Sequence, residues 1–128
     1  MHSFDLRVYY EDTDLAGIVY YANYLKFIER ARSEYIRALG VDQRSLRADA
    51  GIVLAVRRIE ADYLSPARFD DLLRVQTRPL RVTGARIELD QRVLRDDVAL
   101  FRARVTVVAL DAGGRARRIP ANIRRVLP

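Results

Sequence analysis

The sequence predicts an α+β domain in which one long helix lies on one face of an antiparallel sheet of about five strands. Three observations carry this. Apolar residues recur at helical spacing between Asn23 and Leu39, the period shortens to two after Gly51, and turn residues then divide the remainder into four segments. With 128 residues, half of them apolar, the chain suffices for one core, so residues 1–128 are expected to form a single domain.

The first strand is expected over Asp5–Tyr10, followed by a polar loop closed by Gly17. The helix places Tyr24, Phe27, Ile28, Ala31, Tyr35, Ala38 and Leu39 on one face, with Asn23 as its N-cap and Gly40 as a left-handed C-cap. A second, short helix is expected over Asp42–Ala50, ended by Gly51. The four later segments are Ile52–Leu64, Leu72–Val82, Ala85–Leu94 and Val98–Leu110. Pro79 lacks an amide proton and so predicts an edge position or a bulge in the second of them. Arg95-Asp96-Asp97 and Asp111–Gly114 read as turns, the latter followed by a basic tail. One helix leaves much of such a sheet uncovered and its edges open, so a homodimer or homotetramer is expected.

Composition closes most routes to hydrolytic chemistry. The chain has no cysteine, and its one histidine is the terminal His2, which argues against a thiolate nucleophile, a histidine-based triad and a multi-histidine metal site. Carboxylates remain. No apolar run reaches the roughly 18–20 residues of a membrane span, and the N-terminus lacks the pattern of a secretion signal, so a cytoplasmic protein is expected. The net charge of +6 is almost wholly arginine, since Lys26 is the sole lysine. Arginine holds phosphate through paired N–H groups, although a solvated coat of arginines produces the same total. The basic residues are scattered over every segment without an aromatic RNA-binding signature, so no nucleic-acid partner is expected.

The stretch from Tyr9 to Tyr24 gathers Glu11, Asp12, Asp14, Gly17 and a dense set of tyrosines just ahead of the long helix. Acidic residues there serve capping and the helix dipole as readily as chemistry. Asp12-Thr13-Asp14 resembles the opening of a calcium loop, but Gly17 is misplaced and no closing glutamate follows, so no metal is expected. The residues alone do not choose among the three carboxylates.

The string Tyr10-Glu11-Asp12-Thr13-Asp14, then Gly17-Ile18-Val19-Tyr20-Tyr21 and Asn23-Tyr24, resembles the signature of the 4-hydroxybenzoyl-CoA thioesterase-like family of hotdog-fold proteins. The Tol-Pal-associated acyl-CoA thioesterases are the branch it is most similar to. Phe27–Arg32 on the helix and Tyr63–Asp71 between strands extend the resemblance over most of the chain. It implies a curved sheet wrapped around the helix, dimers that join their sheets, and hydrolysis of an acyl-CoA without a cofactor. It also implies that Asp14 is the catalytic carboxylate and that the backbone N–H of Tyr21 polarises the thioester carbonyl. Many Tol-Pal members have histidine where this chain has Tyr21, so only a backbone role carries over.

A carboxylate with an ordinary pKa of roughly 3.9 is ionised at neutral pH and can act at once, as nucleophile or as general base. A helix start offers unpaired N–H groups to a developing oxyanion. Gly17 is expected to let backbone approach the ligand, and by position in the family Arg81, Gly84 and Arg86 are the candidates for the CoA phosphates. The alternative is a non-catalytic acyl-CoA or acyl-carrier-protein binding module on the same fold.

Overall fold

The computed structural model describes residues 1–127. Its strands are β1 (His2–Arg7), β2 (Val53–Tyr63), β3 (Leu72–Val82), β4 (Ile87–Arg95), β5 (Val98–Leu110) and β6 (Ala116–Arg117). Its helices are α1 (Asn23–Ala38), α2 (Gln43–Ser45), which continues as a π-helical turn over Leu46–Ala50, and α3 (Ala121–Val126). All strand pairs are antiparallel in the order β1-β3-β4-β5-β2, with β6 added to β5. The sheet therefore has six strands rather than five, because the turn at Asp111–Gly114 closes a short hairpin: Ala109 and Leu110 pair with Arg117 and Ala116 beyond the point where β4 ends.

Helix α1 buries Tyr24, Phe27, Ile28, Ala31, Tyr35 and Ile36 and packs on β1, β3 and β4. At its end Gly40 takes φ +84° and the Val41 N–H reaches back to the Ile36 carbonyl (3.3 Å), with Val41 itself buried. The expected N-cap is displaced by one residue. Ala22 sits at the cap, and the Asn23 side chain instead donates to the Asp12 carbonyl (2.9 Å), tying the helix start to the preceding loop. On the sheet side, Gln91 is wholly buried and its polar atoms are all engaged: Nε2 donates to Ile28 O and Thr77 Oγ1 (both 2.9 Å), and Oε1 accepts from Arg32 (3.0 Å). This bond to a helix carbonyl fixes α1 on β4 while satisfying polar groups whose burial is otherwise costly.

Strand β1 starts three residues before the expected Asp5 and stops at Arg7, because its pairing runs from His2↔Thr77 to Arg7↔Leu72. Beyond it Tyr10–Asp12 winds into a 3₁₀ turn. Pro79 lies past the end of β1 and beside a register shift between Pro79 and Arg81, so it occupies both an edge and a bulge. Asp96 and Asp97 adopt positive φ (50° and 65°), the conformation of a two-residue hairpin turn. The tail contains more structure than a basic extension: α3 buries Ile123, and the Ile119 N–H donates to Gly84 O (2.8 Å).

Strand β2 is an edge along its whole length. Among the described residues it pairs only with β5, it meets α1 where the Tyr63 ring lies 5.5 Å from Tyr24, and Val53, Val56 and Tyr63 are exposed.

Candidate active site

The acidic loop folds back on itself as a narrow turn. The Asp14 N–H donates to Ile18 O (2.9 Å) and the Gly17 N–H to Asp14 O (3.0 Å), with Thr13 and Val19 bridged. Gly17 is required by its φ of +78°, not by close packing, since a Cβ there would meet nothing within 4 Å. The turn is held to the connection between β2 and β3: Ile18 bridges Arg68, and the Val19 N–H donates to Ala67 O (2.8 Å). Asp71 stabilises that connection by accepting from the Arg68 N–H (2.8 Å) and from Arg95 (2.7 Å).

The three carboxylates now separate. Asp12 is buried, and its Oδ2 accepts the Tyr9 N–H at 2.7 Å, so its charge serves the 3₁₀ turn. Glu11 is exposed at the loop surface. Asp14 is also exposed, with Oδ1 accepting the Ala16 N–H (2.9 Å), and among the described residues Oδ2 has no hydrogen-bond donor. The Tyr20 phenol is held above its ordinary pKa, chiefly by a hydrogen bond with Tyr21 and the Tyr21 charge, then by burial, with the Asp14 charge adding to them. The Tyr20 ring lies beside that of Tyr21, with centroids 4.8 Å apart.

The same pair leads into α1. The Tyr20 carbonyl accepts from the Asn23 N–H (2.8 Å), whereas the N–H groups of Tyr21 and Ala22 find no protein acceptor among the described residues. Beside them is an open cleft of about 330 Å³ walled by Ile18, Val19, Tyr21, Tyr24, Tyr63 and Pro66. Tyr24 is a core residue: its ring stacks on Phe101 (5.0 Å, 13°), and its hydroxyl accepts the Ala67 N–H (3.0 Å). Tyr35 is also buried, while Tyr9, Tyr10, Tyr20 and Tyr21 are exposed.

A second depression, about 800 Å³, crosses the far end of the sheet and includes Val56, Arg57, Thr83, Gly84, Arg117 and Arg118. Of the three residues expected to face a phosphate-bearing ligand, only Gly84 is on its wall. Arg86 lies 3.8 Å from Glu88, and Arg81 is paired across the strands with the same Glu88. The cations in the groove are Arg57, at the β2 bulge, and Arg117 and Arg118, at β6. Arg118 lies across Gly84, where a Cβ would come within 2.8 Å of its Cζ. Arg117 is paired with Asp111 (3.1 Å); among the described residues Arg57 and Arg118 have no carboxylate within 4.0 Å. Sequence reasoning passed over these arginines because β6 pairs through only two residues and has no period to detect. Tyr63 was also overlooked, its significance arising only when β2 reaches the helix start.

Asp71 supplies a pH test of the scaffold. Burial raises its pKa, but the Arg68 N–H and the Arg95 guanidinium outweigh this and hold the carboxyl below its ordinary value. A depressed folded-state pKa gives stability that is present above the unfolded value and lost as pH falls through the folded one. Asp71→Asn is therefore expected to cost about 1 kcal/mol at neutral pH. That deficit should begin to shrink in urea melts below about pH 4, where the unfolded chain takes up the proton, and close only once the pH has fallen through the lowered folded-state value.

Residues 16–102 match the family model described as the thioesterase superfamily. The chain belongs to that family. It is 45% identical over 111 residues to the acyl-CoA thioesterase YbgC of Haemophilus influenzae, covering 87% of this chain and 82% of the relative. It is 40% identical over 107 residues to the acyl-CoA thioester hydrolase YbgC of Escherichia coli, covering 83% and 79%. Among solved structures, a probable thioesterase from Bartonella henselae superposes with a TM-score of 0.89 at 38% identity, covering 93% of this chain and 98% of that one. A 4-hydroxybenzoyl-CoA thioesterase in complex with 4-hydroxybenzoyl-CoA reaches a TM-score of 0.92 over 98% and 97% at 24% identity, a likeness of fold. The sheet around α1 is thus the hotdog fold, and this thioesterase is a hydrolase of thioesters.

Proposed function

We propose that this thioesterase hydrolyses acyl-CoA thioesters, with Asp14 as the catalytic carboxylate and the Tyr21 N–H as the donor to the acyl oxygen. The observation that carries the reading is the pairing of two unused groups. An exposed carboxylate whose Oδ2 has no donor among the described residues is carried by the turn that leads into α1, and the Tyr21 and Ala22 N–H groups at that helix start have no protein acceptor among the described residues. The relatives named as acyl-CoA thioesterases supply the substrate class.

The chemistry follows from charge. In one route Asp14 takes a proton from water, the resulting hydroxide adds to the thioester carbon, and the tetrahedral intermediate collapses to the acid by expelling the CoA thiolate. In the other, the carboxylate adds directly and expels the CoA thiolate, leaving an acyl–Asp14 mixed anhydride that water then hydrolyses to the acid and free Asp14. Both pass through an oxyanion, which the Tyr21 N–H and the positive end of α1 stabilise. A positioned general base contributes roughly 10²–10⁴ in rate and one oxyanion donor roughly 3–4 kcal/mol. The groove holding Arg57, Arg117 and Arg118 is the place for the CoA phosphates. The open edge of β2 suits pairing with a second copy, which light scattering would register as twice the 14.7 kDa chain mass.

Thiol release from a panel of short, long and aromatic acyl-CoAs tests the function. Turnover on at least one of them is expected. Calorimetric binding of the same compounds with no thiol released from any would instead make the chain a binding module.

A further inference from the structure

We propose that Gly84 is a positioning residue for nucleotide binding: it lacks a side chain so that the Arg118 guanidinium lies flat on the turn between β3 and β4 and is held there for a phosphate of CoA. This rests on the reading of the groove as the place for the CoA phosphates. Gly84 does not take the positive φ that Gly17, Gly40, Gly51 and Gly114 adopt, so a left-handed backbone does not explain the glycine. Space does. A Cβ at Gly84 would stand 2.8 Å from Arg118 Cζ, 2.9 Å from Nη2 and 3.1 Å from Nη1. These three distances fix how the guanidinium is turned. A point 2.8 Å directly above Cζ lies about 3.1 Å from each nitrogen for C–N bonds of about 1.33 Å, whereas an approach along the plane would bring a nitrogen nearer than Cζ. The observed set is close to the first, so Gly84 meets the flat of the guanidinium and not its edge. That edge is uncommitted. Among the described residues no Arg118 side-chain donor has an acceptor, and no carboxylate lies within 4.0 Å.

Both halves of this contact are anchored. Arg117 pairs with Ala109 in the β5–β6 hairpin, and the Ile119 N–H donates to Gly84 O at 2.8 Å while the Ile119 side chain is buried. The backbone of Arg118 is thus tied on either side, once to the sheet and once to the same glycine that its side chain covers. The turn is closed around Gly84 by Thr83, whose Oγ1 accepts the N–H groups of Ala85 and Arg86 (both 3.1 Å) and whose own N–H donates to Arg86 O (2.9 Å). An arginine that grips a phosphate gives up much of its side-chain freedom on binding. Here the fold has removed part of that freedom beforehand, while the fork of N–H groups that holds phosphate stays available. Gly84 and Arg118 both wall the groove, so the platform and the cation face the same space.

Gly84→Ala is the informative change, because the atoms its Cβ would meet are the far end of a flexible side chain: the guanidinium is pushed off the turn and the backbone stays. KM for acyl-CoA is expected to rise about three- to tenfold with kcat within about twofold, the effect of losing one pre-set side chain. Arg118→Ala should raise KM at least as much. Adding Gly84→Ala to Arg118→Ala should then change KM by less than about twofold, since no guanidinium remains to be displaced. A Gly84→Ala effect of the same size with and without Arg118 would overturn the proposal. So would an unchanged KM in Gly84→Ala beside a raised KM in Arg118→Ala. A Gly84→Ala protein that melts far below wild type and is not restored by Arg118→Ala would show that the glycine serves the turn itself, which also overturns it. An unchanged KM in Arg118→Ala would instead overturn the reading of the groove, so the two failures are distinguishable.

Discussion

Asp14→Asn is expected to lower kcat on acyl-CoA by about 10³ while leaving the melting temperature nearly unchanged. The amide cannot take a proton from water and is a poor nucleophile, so either chemical route is lost. The local fold survives because the one structural duty of the side chain, accepting the Ala16 N–H through Oδ1, passes to the amide oxygen of asparagine. Asp12→Ala should give the opposite pattern. It leaves the Tyr9 N–H without its 2.7 Å acceptor at a half-buried position, costing about 1 kcal/mol of stability, and affects turnover only as far as the loop loosens. Glu11→Gln should change neither. If Asp12→Ala stopped turnover in a stably folded protein while Asp14→Asn did not, the roles assigned to the two aspartates would be reversed. A single turnover in ¹⁸O-water then separates the routes. Solvent ¹⁸O left in the Asp14 carboxylate, with an unlabelled oxygen in the first acid released, marks nucleophilic attack followed by hydrolysis at the Asp14 carbonyl; general-base attack puts solvent oxygen in the acid and none in Asp14.

The contrast between Asp12 and Asp14 shows what the sequence carries and what it does not. Hydrophobic period located α1 and the four long strands to within a few residues, because each has a buried face long enough to leave a pattern, as in the alternation of Ile87, Leu89 and Val93. The register of β1 was not legible, since its place on β3 is decided by Leu72–Thr77 far along the chain. The cap was misplaced because Asn23 has a long-range acceptor, Asp12 O, that competes with its local role. The carboxylates were indistinguishable for a similar reason. Which one is buried, Asp12 beneath the Tyr9 N–H, and which stays exposed depends on a 3₁₀ turn of three residues, too short to announce itself. The cationic groove was the least legible feature. It is assembled from the β2 bulge, the turn at Gly84 and a two-residue strand, parts distant in sequence that are tied by the β5–β6 pairing and by the Ile119 N–H to Gly84 O bond.

That assembly has a measurable consequence for substrate binding. Arg57→Gln combined with Arg118→Gln should raise KM for acyl-CoA by about 100-fold or more and leave kcat within about twofold. Each charge-assisted contact to phosphate contributes about 1.5–3 kcal/mol, and neither side chain is near the Asp14 turn in the fold. These two arginines are the informative choice because neither has a carboxylate partner among the described residues, whereas Arg117 is already committed to Asp111. The dependence of KM on salt should flatten in the variant, since the attraction it lacks is the part that ions screen. A truncated thioester that ends at the pantetheine arm and carries no nucleotide should be hydrolysed equally by variant and wild type, which separates lost phosphate contacts from a disturbed active site. Arg81→Gln with Arg86→Gln serves as the matching control. Those side chains stand outside the groove and share Glu88 as a neighbour, so KM should move by less than about threefold. A larger effect from this pair than from Arg57 and Arg118 would place the nucleotide on the β3–β4 turn itself and leave the groove without a role in CoA binding.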